Sequence, residues 1–343
     1  MSTPIEAAPG RKTTYLLAIR EALREEMAHD PAVFILGEDV ARHGGGFGVT
    51  KELWEEFGPE RVRNTPISEN GFVGVALGAA MTGCRPVVEI MFMDFSALAI
   101  DQICNEAAKV YYMFGGQAMA PLVIRLPQGG LSWKSAAAHH SQSLEAWYVH
   151  IPGLKVVFPS TPYDAKGLMK SAIRDNNPVI FIEHKALYSL EGDVPMEEYT
   201  VPIGKADVKR EGKDVTVIAS GYMLHSALKA AETLVADGID TEVIDPRSLK
   251  PLDEETLFTS VRKTHRAVLV QEACRTAGVA AEWGMLIQEN CFDWLDAPIV
   301  RLAGEDVPIP YASSLERVIW PTPECIVKAA RDVCYYPGNW NGR

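Results

Sequence analysis

Three short stretches of this sequence place reactive side chains where a backbone would present them. The run Thr65-Pro66-Ile67-Ser68-Glu69-Asn70-Gly71-Phe72-Val73-Gly74-Val75-Ala76-Leu77-Gly78 passes from loop to helix at Glu69. Ser68 is of N-cap type, and a carboxylate in a first helical turn complements the helix dipole by roughly 0.3–1 kcal/mol, which by itself accounts for Glu69. The glycines ask for more. Each costs about 1 kcal/mol inside a helix relative to alanine, so Gly71, Gly74 and Gly78 predict something packed closely beside Glu69. They do not make a dinucleotide site, because G-x-x-G-x-x-x-G lacks the phosphate-binding turn of G-x-G-x-x-G and follows no convincing buried strand.

The second stretch is Ala136-Ala137-Ala138-His139-His140-Ser141-Gln142-Ser143, after Gln128-Gly129-Gly130. Adjacent side chains on an extended backbone point to opposite faces, and no Cys, His, Asp or Glu cluster stands at ligand spacing, so zinc is not expected. A histidine that handles a proton near neutral pH fits, as does a loop anchor. The third is Glu38 in Gly37-Glu38-Asp39-Val40, at the end of an apolar run. Strand ends are where α/β sites form, although a cap or an interface charge explains Glu38 equally. Gly44-Gly45-Gly46-Phe47-Gly48 nearby is a mobile loop or a close approach to a ligand.

The elements that must position these groups alternate along the chain. A helical pattern through Leu16, Ile19, Leu23 and Met27 leads into the apolar run 33–36. Similar runs at 86–91, 122–126, 155–158 and 179–182 are separated by helical patterns such as 97–112 and 164–174. Short, bounded and β-branched, the runs suit buried parallel strands of an α/β fold. Gly192, Pro195 and Pro202 among acidic residues interrupt the rhythm, which places a linker at 188–204 between a domain over 11–187 and a smaller α/β domain over 205–334. In the second domain the runs are 215–219, 241–244, 267–270 and 299–302, and 335–343 reads as an interface tail.

Composition narrows the partners. The 343 residues carry 33 Lys and Arg against 45 Asp and Glu, a net charge of −12, which argues against nucleic acid. No apolar run approaches the ~20 residues of a membrane span. The six cysteines include no C-x-x-C pair and the N-terminus has no targeting pattern, so the expected compartment is the cytoplasm.

At this point the residues resemble a known family. TPISENGFVGVALGAAMTGCRPVVEIMFMDF, DQICNEAAKVYYMFGGQ, HSQSLEAWYVHIPGLKVVFPSTPYDAKGLMKSAIRDNNPVIFIEHKALY and VIDPRSLKPLD resemble the β subunits of thiamin-diphosphate-dependent pyruvate, branched-chain 2-oxo acid and acetoin dehydrogenases. The resemblance implies a transketolase-like pyrimidine-binding domain followed by a transketolase C-terminal domain. It makes Glu69 the carboxyl that contacts the cofactor's aminopyrimidine and so activates it, a task for which apolar burial would raise the carboxyl's pKa. Ile67, Met91 and Phe95 become apolar walls, and Glu38 a neighbour of the cofactor. His140 becomes the histidine lining the channel to the lipoyl arm; His139 receives no role. It also implies potassium held by backbone carbonyls of Leu122, Ala172, Ile173, Asp175 and Asn177.

No G-D-G motif for diphosphate-bound magnesium occurs, so the resemblance assigns Mg2+ and the diphosphate half of the site to an α subunit. The expected assembly is a two-alpha two-beta heterotetramer that reductively acylates the lipoyl-bearing acyltransferase component, docked through the second domain. The alternatives are a half of another split transketolase-type enzyme, or a catalytically silent partner that has kept the fold. Asp245-Pro246-Arg247 departs from the family at Pro246, which should alter the path after its strand.

Overall fold

In the computed structural model, which describes residues 11–130 and 136–334, twelve of the fourteen described strands build two main sheets and two pair as a separate ribbon. The proposed tail 335–343 lies outside the described residues. The first sheet contains β2 (Val33–Gly37), β3 (Val62–Asn64), β4 (Arg85–Glu89), β5 (Val123–Gln128), β6 (Lys155–Val157) and β7 (Val179–His184). It also takes in β12 (Ser248–Lys250), in the order β12-β6-β7-β5-β4-β2-β3. All neighbours are parallel except β12, which runs antiparallel to β6.

The second sheet has the order β14-β13-β10-β11-β9, from β9 (Asp207–Arg210), β10 (Val215–Ala219), β11 (Thr241–Asp245), β13 (Ala267–Cys274) and β14 (Val300–Gly304). Here β9 is the antiparallel member. Central strands β5, β7, β10 and β11 are buried at every residue, which is why they read as continuous apolar runs.

Helices cover both faces of the first sheet. Helix Tyr15–His29 starts at Thr14 and helix Pro162–Arg174 at Thr161, each threonine hydroxyl accepting from a first-turn amide at 3.2 Å. The two helices lie against one another and are tied by Lys166 and Lys170 to Glu25 at 2.7 and 2.9 Å.

Two local expectations meet a different outcome, and the altered path expected at Pro246 is found. The helical pattern over 97–112 is not one helix but a 3-10 turn at Met93–Ala99, a π turn at Gln102–Ala107 and a short α turn at Val110–Met113. Ser96 donates to the Met93 carbonyl at 2.5 Å and accepts from the Tyr148 hydroxyl, and such local bonding competes with the α ladder. Within 188–204 lies a strand, β8 (Glu191–Val194), paired antiparallel with β1 (Arg11–Thr14). Its half-exposed edge position is what let acidic residues and glycine mask it. After β11, the Ser248 amide donates to the Pro246 carbonyl at 2.5 Å and Arg247 sits at φ 55°. That sharp reversal carries β12 across to the edge of the first sheet, so the two sheets are joined by chain exchange.

Candidate active site

Glu38 and Glu69 meet at the carboxyl ends of the first sheet's strands, where ligand crevices of α/β sheets form. Glu38 follows β2 directly. Its side chain is buried, Oε1 has no hydrogen-bond partner, and burial together with Glu69 and Asp39 pushes its carboxyl above the ordinary range. Glu69 opens helix Glu69–Met81 and is only 4 % exposed, whereas Ile67, expected to wall the pocket, is 85 % exposed.

Ser68 holds the N-cap position, but its side chain makes no capping hydrogen bond, contrary to expectation. The close packing read from the glycines is found within this chain at Gly74, where a Cβ would stand 2.9 Å from Gln102 Oε1, and not at Gly78, which has nothing within 4 Å. Gly71, Val75 and Gly78 form an exposed stripe on this helix. Ile67, Val75 and Leu98 are large exposed apolar side chains, and where such groups form a contiguous patch they mark an interaction surface.

The glycine loop lies over the same strand ends. Gly45, at φ 79°, leaves no room for a Cβ beside the Glu89 carboxylate, and the Gly46 amide donates to Glu89 Oε1 at 3.1 Å. A Cβ on Gly46 would fall 2.7 Å from Met91 Cγ, so Met91 is covered by this loop. Glu89 pairs with Arg125 at 2.5 Å, and Arg125 grips Glu183 at 2.7 and 3.0 Å, all three fully buried. This triad fixes the loop to β4, β5 and β7 together.

His140 occupies an aromatic corner. Its ring meets Phe92 and Phe95 edge-on, with centroids 4.6 and 5.1 Å apart. Phe95 thus walls His140. The loop is held at three points: Gln142 donates from its amide and side chain to Asp94 Oδ1 at 3.3 and 2.8 Å, Lys185 Nζ donates to the His140 carbonyl, and Glu272 of β13 accepts from the Gly130 amide at 2.9 Å. Glu272 also contacts His184 Nε2 at 2.5 Å, and its carboxyl is held below the ordinary range against its burial by His184 and the Gly130 amide. A cleft of about 710 Å3 opens here, lined by His139, Gln142, Glu272, Pro308 and Trp320 among others. Asp94, Lys185 and Glu272 were missed in the sequence. The ionic Glu183-His184-Lys185 at the end of a fully buried strand was the available signal for one of them.

The carbonyls assigned to potassium are partly engaged. Leu122 accepts from the Val179 amide at 2.8 Å, Ala172 from the Asp175 amide at 3.3 Å, and Ile173 and Asp175 both accept from Arg85 Nη1, at 2.9 and 3.0 Å. Among the described residues no group of three or more His, Cys, Asp or Glu side chains can hold a metal ion.

Comparison with known proteins bears on both domains. Residues 11–191 match the transketolase pyrimidine-binding domain and residues 204–326 the transketolase C-terminal domain. Among solved structures, a split-gene transketolase in an inactive β4 tetramer superposes with a TM-score of 0.76 at 26% identity, covering 93% of this chain and 97% of that one. The pyruvate dehydrogenase E1 component subunit beta of Gracilaria tenuistipitata var. liui is 50% identical over 92% of this chain and 97% of its own. That of Rhizobium meliloti (strain 1021) is 50% identical over 93% of this chain and 69% of its own. The 2-oxoisovalerate dehydrogenase subunit beta of Bacillus subtilis (strain 168) is 48% identical over 94% of this chain and 99% of its own. With both domains matched in order and half the residues shared across nearly the whole length, the chain belongs to the family of 2-oxo acid dehydrogenase β subunits.

Proposed function

We propose that this chain is the β subunit of a thiamin-diphosphate-dependent 2-oxo acid dehydrogenase and that it provides the activating half of a cofactor site completed by an α subunit. The observation that carries this is Glu69: a buried carboxyl on an exposed apolar surface, beside a second buried carboxyl, Glu38, with an unpartnered oxygen. An aminopyrimidine has ring-nitrogen and amino groups that suit such oxygens, so the residues present fit the group. When bound, thiamin diphosphate supplies the acidic carbon that adds to the substrate carbonyl and holds the electrons released on decarboxylation.

The chain's own side chains do the rest. Glu69 donates or accepts one proton at the ring nitrogen, a role for which Asp is too short. Met91 and Phe95 exclude water, and Ile67 does so once a partner covers it. His140, in its Phe92–Phe95 corner next to the cleft residues His139 and Gln142, is placed to hold or move a proton as the acyl group passes to the lipoyl arm. Without a G-D-G motif, magnesium and the diphosphate fall to the α subunit. The exposed Ile67, Val75, Leu98, Tyr112 and Phe114 support a two-alpha two-beta heterotetramer. The acyltransferase component is the expected further partner, docked through the second domain. Potassium would take free lone pairs on the Leu122, Ala172, Ile173, Asp175 and Asn177 carbonyls, of which Ile173 and Asp175 already accept from Arg85. All six cysteines are free thiols, which supports a reducing cytoplasm, and no described helix is long and apolar enough to cross a membrane.

Relatives named for pyruvate and for 2-oxoisovalerate stand at 50% and 48% identity, so the substrate is to be ranked by assaying pyruvate, branched 2-oxo acids and acetoin side by side. The test of function is Glu69→Gln in the chain reconstituted with its α partner. Thiamin-dependent oxo acid turnover should fall by about 100-fold or more while assembly is unchanged. Full activity in that variant would overturn the role given to Glu69.

A further inference from the structure

Among the described residues Lys185 is a buried cation that bonds His140 itself. It follows β7, is 0 % exposed, and its Nζ lies 5.1 Å from the centroid of the Phe92 ring. A buried lysine serving only to hold the fold is expected to pair with a carboxylate. Among the described residues the hydrogen bond of this one goes instead to the main-chain carbonyl of His140. Phe92, over which the ammonium sits, is also the ring against which the His140 imidazole packs edge-on at 4.6 Å. Lys185 therefore reaches both ends of the same residue, its backbone directly and its ring through Phe92. The other two restraints on the loop act elsewhere: Asp94 holds Gln142, and Glu272 holds Gly130.

Burial brings the Lys185 ammonium down to about 8, against the pull of Asp94, Glu272 and Glu316. Keeping a cation in such surroundings costs stability, and groups perturbed in this way cluster at functional sites.

We propose that Lys185 is the positioning residue for His140, setting its backbone and its ring in the Phe92–Phe95 corner and thereby governing the acyl transfer that His140 serves. This rests on the role of His140 given above. Small displacements of a group that must meet a reacting atom lower rates by up to about 100-fold, so the effect should fall on one half-reaction only.

The test uses the reconstituted α–β enzyme with a lipoylated acyltransferase domain, comparing Lys185→Met, His140→Ala and the double variant. Two rates are read: reductive acylation of the lipoyl domain, and decarboxylation coupled to an artificial dye acceptor. Lys185→Met should slow acylation by about tenfold or more and leave the dye-linked rate within about twofold. The double variant should be no slower than His140→Ala, because Lys185 acts through His140. Should the Met variant fail to assemble, the same comparison is made with Lys185→Gln. Normal acylation in the Lys185 variant while His140→Ala is slow overturns the positioning role alone. So does a Lys185 penalty that persists in full in the His140→Ala background. Normal acylation in His140→Ala overturns the role of His140 and this proposal with it.

Discussion

Replacing Glu145 by glutamine should change how stability depends on pH, by an amount the structure lets us work out. Glu145 opens the helix Glu145–Val149 and lies behind the His140 loop, at the junction of the two sheets, with Phe158, His184, Ser220 and Trp283 around the same small cavity. It is buried, its Oε2 has no hydrogen-bond partner, and burial pushes its carboxyl from 4.5 up to about 7, with Glu272 adding to the rise. A carboxyl raised on folding stabilises the folded chain in full below its unfolded value, and the contribution is lost as pH rises through the folded value. Relative to a side chain that never ionises, this carboxyl costs about 1.4 kcal/mol at about pH 5.5 and about 3.3 kcal/mol at about pH 8.

The Gln variant should therefore gain about 2 kcal/mol on the wild type between those two pH values, on the order of 4 °C in melting temperature for a chain of this size. Asp245, also pushed to about 7, is present in both proteins and cancels in the difference. The assay is a pair of thermal melts of variant and wild type at each pH. A difference in Tm that stays constant from about pH 5.5 to about pH 8 would refute the assignment of a buried, ionising Glu145.

Three further outcomes follow from the same geometry. Arg125→Met leaves Glu89 and Glu183 buried without their shared counter-ion, and should lower stability by about 3–5 kcal/mol in thermal or denaturant unfolding, less so at low pH where the carboxylates protonate. Gly129→Ala, at φ 84° with the His184 ring where its Cβ would be, should cost about 1–3 kcal/mol in strain alone; wild-type stability would mean that the loop moves freely off His184. Exchange of potassium for sodium at equal ionic strength should lower Tm if the carbonyls of Leu122, Ala172, Ile173, Asp175 and Asn177 bind potassium, and identical melts would remove that ion from the account.

Glu69 shows how far sequence and structure each reach. Its position at a loop-to-helix boundary was legible because helix starts are written in local chemistry, and the strand runs of both sheets were legible because burial on two faces demands continuous apolar residues. The boundary was also drawn in too much detail: Ser68 does not cap, and Gly78 packs on nothing within the chain. The helix expected over 97–112 gives way to 3-10 and π turns next to Ser96, whose hydroxyl donates to the Met93 carbonyl and accepts from the Tyr148 hydroxyl of another segment.

What the sequence by itself determined was the α/β class, the order of two domains, and the residue types at Glu38, Glu69 and His140, all of which depend on neighbours along the chain. Only the tertiary structure decided that Glu38 and Glu69 sense one another and that Arg125 locks the glycine loop to three strands. It alone showed that β12 leaves its own domain for the edge of the other sheet, and that Lys185 reaches back across 45 residues to the carbonyl of His140. The reason is physical: local periodicity records which face of an element is buried, whereas the partner of a buried charge is chosen by whatever the fold brings within about 3 Å of it.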